Sequence, residues 1–180
     1  MLEGKRIILR PMNQGDAGMF LRWFNNPEIT QYLLLYLPVN QELEEKWIKK
    51  VNLSNTEFVF VIEIKGEEGK SNVPIGNCGM HGINWKDRNA TGGIAIAERG
   101  YWGNGFGTET LELLLDYCFK TLNMHRVSSS VFDFNSRSLK MHEKLGFTIE
   151  GIRREAIYKN GKYHDEIILG LLKREWNKKK

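Results

Sequence analysis

Apolar residues fall at Leu111, Leu114, Leu115, Cys118, Phe119 and Leu122, in steps of three and four. That period predicts a helix running from Phe106 with one buried face. Three other segments follow the same rule. Asp16 can start a helix carrying Phe20, Leu21 and Phe24, and Asn25-Asn26-Pro27 stops it. Asn40 can cap a helix that runs through Glu44, Trp47, Ile48 and Val51. Asn135 can cap another that ends at Gly146, a left-handed stop.

Strands are predicted at Arg6–Arg10 (ended by Pro11), Phe58–Ile64, Val73–Gly82, Ala90–Ala97 and Arg126–Phe132. A polar hairpin loop, Gly66–Asn72, joins the second and third of these. Thr91-Gly92-Gly93 predicts a bulge or a close backbone approach. Phe147–Tyr158 and Tyr163–Leu172 read as a hairpin turned at Asn160-Gly161. Glu28–Leu37 carries no single pattern. The order is strand, two helices, three strands, helix, strand, helix, hairpin. It predicts one α+β domain over residues 1–180: a mixed, mostly antiparallel twisted sheet flanked by about four helices, two of them crossovers.

Composition narrows the class. A chain of 180 residues, 41% hydrophobic and 27% charged, is long enough for a real core and reads as globular. The net charge of +4 is mild, and the only basic run is Lys178–Lys180. No basic stripe interleaved with aromatics points to nucleic acid, so no nucleic-acid partner is expected. The longest apolar run, Tyr32–Leu37, is six residues, far short of a membrane span, and no apolar signal core opens the chain. Cys78 and Cys118 sit in apolar segments without metal-type spacing and read as buried free thiols of a reducing compartment. The expectation is a cytoplasmic protein that binds no metal and no membrane.

The chemistry concentrates at Tyr101–Glu109, which reads Tyr-Trp-Gly-Asn-Gly-Phe-Gly-Thr-Glu. Gly103, Gly105 and Gly107 leave backbone N–H groups clear of side chains, and the helix behind them directs its positive end at the same spot. That suits a pyrophosphate. The Lys-Ser/Thr ending of a nucleoside-triphosphate loop is absent, and the Gly-x-Gly-x-Gly spacing is not the dinucleotide fingerprint. The plainer alternative is a flexible glycine loop capping a helix.

This order, with the glycine loop between the third meander strand and the long helix, resembles the GNAT superfamily of acyl-CoA N-acyltransferases. The match is closest to the branch holding ribosomal-protein N-acetyltransferases (the RimJ/RimL type) and spermidine acetyltransferase-like enzymes. Four stretches carry it: Leu21–Tyr32, Gly93–Glu109, Asn135–Gly151 and Gly161–Trp176. The second and third together are specific, and the coverage is essentially the whole chain. The resemblance implies a GNAT-like fold whose splayed strands hold coenzyme A, and acetyl-CoA as cosubstrate.

Several roles follow from the resemblance alone. Trp102, Gly103, Asn104, Gly105, Phe106, Gly107 and Thr108 would hold the pyrophosphate, with Trp102 standing where the family often has Gln or Arg. Ile94, Ala95, Ile96 and Ala97 would pair with the pantetheine arm as an added strand, and a backbone N–H there would polarise the thioester carbonyl. Asn135, Ser138 and Lys144 would also contact the cofactor. Many relatives place a Tyr where this chain has His142, to protonate the leaving thiolate. Ser138 shares its helix face one turn earlier and is the second acid candidate. Both have plainer readings, His142 as a core residue and Ser138 as a first-turn hydroxyl. An unperturbed imidazole, titrating at about 6.5, would suit the task.

The family's usual Glu base falls at Gly92. Glu28, Glu98 and Asp165 are weak substitutes acting through water. Alternatively the acceptor loses its proton easily: an α-amine titrates at about 8 and a lysine-type amine at about 10.4, a difference of about 3 kcal/mol. That favours an α-amine. Glu28, Tyr32 and Tyr36 are the candidate acceptor contacts, with Trp23 and Phe24 either lining the cleft or forming helix core. The Glu42, Glu44, Glu45 cluster suggests a polyamine, although Lys46, Lys49 and Lys50 dilute it. The resulting expectation is an acetyl-CoA-dependent N-acetyltransferase acting by direct attack in a ternary complex. Its acceptor is a protein N-terminus or a small amine such as a polyamine, amino sugar or antibiotic. A non-catalytic acyl-CoA sensor is the alternative, and a homodimer is implied by analogy with the branch.

Overall fold

The computed structural model describes residues 1–179, with backbone alone for 177–179, so the basic tail at 178–180 lies outside the described side chains. Eight strands form one open sheet. They are β1 (Leu2–Glu3), β2 (Ile7–Pro11), β3 (Phe58–Ile64), β4 (Val73–Asn84), β5 (Asn89–Ile96), β6 (Arg126–Phe132), β7 (Thr148–Lys159) and β8 (Lys162–Leu172). Their spatial order is β1-β2-β3-β4-β5-β6-β8-β7. Every neighbouring pair is antiparallel except β5–β6, which is parallel because the chain crosses over between them.

The helices are α1 (Ala17–Phe24), α2 (Pro27–Thr30), α3 (Gln41–Asn52), α4 (Phe106–Asp116), α5 (Ser136–Leu145) and α6 (Lys173–Lys179). Six helices are therefore described where the sequence pattern suggested about four. The additions are α2, a single turn that Asn26 caps and Pro27 opens, and the terminal α6. The long helix also departs from expectation at its end. Past Asp116 it widens into a π turn over Tyr117–Thr121, closed by Leu122 N–H donating to Tyr117 O at 3.0 Å.

Alternation along the strands separates two cores. Phe58, Phe60 and Ile62 turn to the face covered by α4, with Leu111, Leu114, Leu115, Cys118 and Phe119. Val59 and Val61 turn to the other face, with Phe20 and Trp23 of α1, Ile29 of α2, and Ile48 and Val51 of α3. The Asn160-Gly161 turn has φ of +53° and +82°, the primed geometry that this dipeptide favours.

Thr91-Gly92-Gly93 is regularly paired, so the bulge expected there is absent. The irregularity lies in the partner strand, between His81 and Asn84. The glycines instead admit neighbouring side chains. A Cβ on Gly92 would stand 3.3 Å from Met80 Cε, and one on Gly93 3.4 Å from His81 Nε2.

The feature that positions the site is a fork. β5 pairs with β6 only through Asn89–Thr91 against Arg126–Ser128. β5 runs on to Ile96, paired to β4, and β6 runs on to Phe132, paired to β8. Each strand follows its outer neighbour, so their inner edges separate. Ser129 Oγ donates to Gly92 O at 3.4 Å across the base of the fork.

Candidate active site

The fork opens into a cavity of about 1250 Å³ that runs from the glycine loop to the surface between α2 and α3. At one end the loop turns through Gly103 and Gly105, at φ of +79° and +81°, a region costly for any residue with a Cβ. Gly105 is the N-cap of α4, so the free N–H groups of that helix's first turn face the cavity beside Phe106, Gly107 and Thr108. A Cβ on Gly107 would stand 3.0 Å from Met141 Sδ, so glycine there lets α4 approach α5.

Two arginines from outside the glycine loop converge on it. Arg6, next to β2, bonds Glu109 through Nε at 2.8 Å and Asn104 O through Nη1 at 3.0 Å, and lies over the Phe106 ring at 4.4 Å. Arg137 of α5 stacks on Trp102 at 4.1 Å. Trp102 itself donates its indole N–H to Ile96 O at 2.7 Å, fixing the loop to the end of β5. Positive charge at the loop thus comes from elsewhere in the chain, not from the Trp102 position.

Along the fork, Ile94, Ala95 and Ile96 line the cavity with the unpaired edge of β5, opposite Ser129, Ser130, Val131 and Phe132. Ala97 and Asn104 do not line it. Ala97 is buried against α1 and α3, and Asn104 faces Gly100 and Arg6. Asn135 caps α5 by accepting Ser138 N–H at 3.3 Å, and Ser138, His142 and Lys144 follow along the cavity wall.

His142 is buried, and its Nδ1–H donates to Ser138 O at 2.8 Å. Burial pulls its pKa below the ordinary histidine value, against a smaller upward effect of that hydrogen bond. The ring is neutral at pH 7, with Nε2 lacking a proton to give. Its edge-on contact with Phe147, 4.9 Å between ring centres, is that of a packed side chain.

The end away from the glycine loop is largely apolar: Phe24, Leu33, Leu34, Leu37, Tyr36 and Trp47, with Tyr32 between Trp102 and Phe134. Lys159, beside the Asn160 turn, donates to Thr30 O at 3.1 Å and Leu35 O at 2.7 Å and anchors that loop. Trp23 stays in the core and donates to Glu98 at 2.7 Å. The carboxylates considered as bases lie away from the cavity lining. Glu28 pairs with Arg99 at 2.8 Å, Glu98 accepts from Trp23, and Asp165 accepts the Glu155 N–H at 2.9 Å.

One carboxylate does line the cavity, and the sequence pattern points to it only as a member of the Glu42, Glu44, Glu45 cluster, not as a base. Glu44 of α3 is 3% exposed, and its Oε1 has no hydrogen-bond partner. Burial pushes its pKa up to about 7. The available signal was its register with Ile48 and Val51 on the buried face of α3. Among the described residues no group of His, Cys, Asp and Glu is arranged to hold a metal, and no helix is long and apolar enough to cross a membrane.

These residues fit an acyl-CoA. The glycine turn and helix N-terminus suit the diphosphate, the unpaired strand edge suits the amide-bearing arm, and the far end admits an acceptor. Known proteins agree. The acetyltransferase (GNAT) domain family matches residues 6–148. The uncharacterized N-acetyltransferase p20 of Bacillus licheniformis is 30% identical, over 97% of each chain. The spermidine N(1)-acetyltransferase of Vibrio cholerae is 32% identical over 89% of each chain. The crystal structure of spermidine N-acetyltransferase from Vibrio cholerae in complex with CoA and spermine superposes with a TM-score of 0.87 at 27% identity, covering 96% of this chain and 98% of that one. A forked sheet, a glycine turn at a helix start and these likenesses lead to one conclusion: the chain belongs to the GNAT acetyltransferases and is an acetyl-CoA-dependent N-acetyltransferase.

Proposed function

We propose that the acceptor is a single primary amine on an apolar body, of which a polypeptide N-terminus is the leading example. The observation that carries this reading is the charge of the cavity wall. Among the described residues Glu44 is its only acidic one, on a lining that includes Leu33, Leu34, Leu37, Tyr36 and Trp47. A polyamine carries several ammonium groups and would meet one carboxylate. Arg137, Lys140 and Lys144, all on α5 at the cofactor end of the cavity, add positive charge rather than further carboxylates. An α-amine is also the easier group to neutralise, by about 3 kcal/mol.

In this reading the β5 edge receives the pantetheine arm, and an N–H of that edge polarises the thioester carbonyl. Ser138, in the first turn of α5, supplies the proton for the departing thiolate, where the helix N-terminus favours negative charge. His142 holds that turn through its bond to Ser138 O. A cytoplasmic setting, in keeping with the two buried free thiols, and a homodimer belong to the same proposal.

Likeness to spermidine acetyltransferases favours the second reading, a polyamine acceptor. Thiol release measured with peptides of varied first residue and with spermidine separates the two. Peptides with an apolar first residue should show the higher kcat/KM. A higher value for spermidine refutes the single-amine reading.

A further inference from the structure

Three buried side-chain oxygens lack a hydrogen-bond partner among the described residues: Glu44 Oε1, Asn77 Oδ1 and Thr110 Oγ1. Thr110 is on α4, and the other two line the active-site cavity. Asn77 sits in β4 directly between Val61 of β3 and Ala95 of β5. Paired residues share a face, so Asn77 points to the side that Val61 shares with Ile48 of α3. Glu44 lies one turn before Ile48 on that helix. Both residues therefore line one cavity, and each keeps a buried side-chain oxygen without a hydrogen-bond partner among the described residues.

Buried polar atoms are rarely left unpaired, and an unpaired pair of acceptors calls for donors. A primary ammonium has three N–H donors and a positive charge. It satisfies an amide oxygen and a carboxylate at once.

We infer that Glu44, with Asn77 Oδ1 in the same cavity, receives the acceptor's ammonium and removes its proton, the task that Gly92 leaves unfilled on β5. The inference rests on the acceptor reading above. The step balances. One ammonium proton passes to the Glu44 carboxylate, and the freed lone pair forms the N–C bond at the thioester carbonyl. The C–S bond breaks with its electron pair going to sulfur. Ser138 gives its hydroxyl proton to the thiolate and regains one from the new amide nitrogen, which thereby loses its second proton, and Glu44 releases the first proton to solvent through the cavity mouth.

The surroundings leave Glu44 uncompensated. On α3, Glu42 is paired with Lys46 and Lys50 with Glu57. On the turn packed against α3, Asp16 is closed by Arg10, and on α1 Arg22 bonds Gly18 O. On the cavity wall stand His81, Arg137, Lys140, His142 and Lys144. Burial alone accounts for the raised pKa, so a carboxylate titrating at about 7 is poised to exchange a proton at neutral pH.

The test compares wild type with Glu44→Gln, using acetyl-CoA and a peptide amine between pH 6 and 9. The variant should lose about 100-fold in kcat/KM at pH 7, with unchanged CoA affinity by calorimetry. Its acidic limb near pH 7 should vanish. The deficit should shrink above about pH 8, where the acceptor becomes neutral unaided. Equal kcat/KM and equal pH profiles overturn the inference and leave the acceptor reading standing. If wild type prefers spermidine, the acceptor reading falls instead, and the same variant ratio measured on spermidine decides the part of Glu44.

Discussion

Glu44 and His142 face the same cavity, and burial favours the neutral form of each, with opposite consequences for stability. The Glu44 pKa rises on folding, so its contribution is full below about pH 4.5 and is lost as pH climbs through about 7. Glu44→Gln removes that loss. The variant should be more stable than wild type at pH 8, by on the order of 3 kcal/mol in denaturant melts, and nearly equal at pH 4.5. Equal stability at both pH values would mean that the carboxylate is hydrated in solution. The His142 pKa falls on folding, so its stabilising part is present above about pH 6.5 and is lost as pH drops below. A His142→Gln protein should therefore lose less stability than wild type between pH 7 and pH 5. A parallel decline of the two would show that His142 does not titrate in this window.

At the scale of elements, the site depends on how α4 begins. Gly105 ends the loop in a left-handed turn and caps the helix, and Arg6 Nη2 lies 3.4 Å from the point where its Cβ would stand. Gly105→Asp would strain this turn, add a negative charge beside the diphosphate position and draw Arg6 to itself. CoA affinity should fall by on the order of 100-fold or more in calorimetry, since both charge effects oppose anion binding. Unchanged affinity would remove the loop from the binding site. The fork has a similar local cause. β5 and β6 share only three paired positions because each stays in register with its outer partner, and the inner edges are left for a ligand.

Across the whole molecule, helices on both faces of the sheet divide the labour. α4 and α5 frame the end with the glycine turn, proposed for the diphosphate, and α1–α3 with the Lys159 anchor frame the apolar end, proposed for the acceptor. The cavity crosses between them, and among the described residues its arginine and lysines come from α5 and its one carboxylate from α3. This polarity is the reason peptides should outrank spermidine in kcat/KM, even though a spermidine acetyltransferase shares the fold at a TM-score of 0.87. A backbone trace is common to both, whereas the acceptor is chosen by side chains that the trace does not specify.

Much of this was written locally. The three-and-four spacing of Leu111–Phe119, the Asn135 and Asn40 caps, the Asn160-Gly161 turn and the glycine loop each depend on a few adjacent residues, and each is legible in the chain. The missing bulge at Gly92, the π turn at Tyr117 and the helix after Leu172 depend on distant packing and were not. The same divide runs through the site. Local chain chemistry sets where backbone N–H groups are bare and which helix stands behind them, because glycine and capping preferences act over one turn of chain. Folding alone brings Arg6 to a loop about a hundred residues away, pairs Glu28 with Arg99, and buries Glu44 in the wall of the cavity that Asn77 also lines. Solvation and charge are set by every atom within a few ångströms, and folding gathers those atoms from segments the chain keeps far apart.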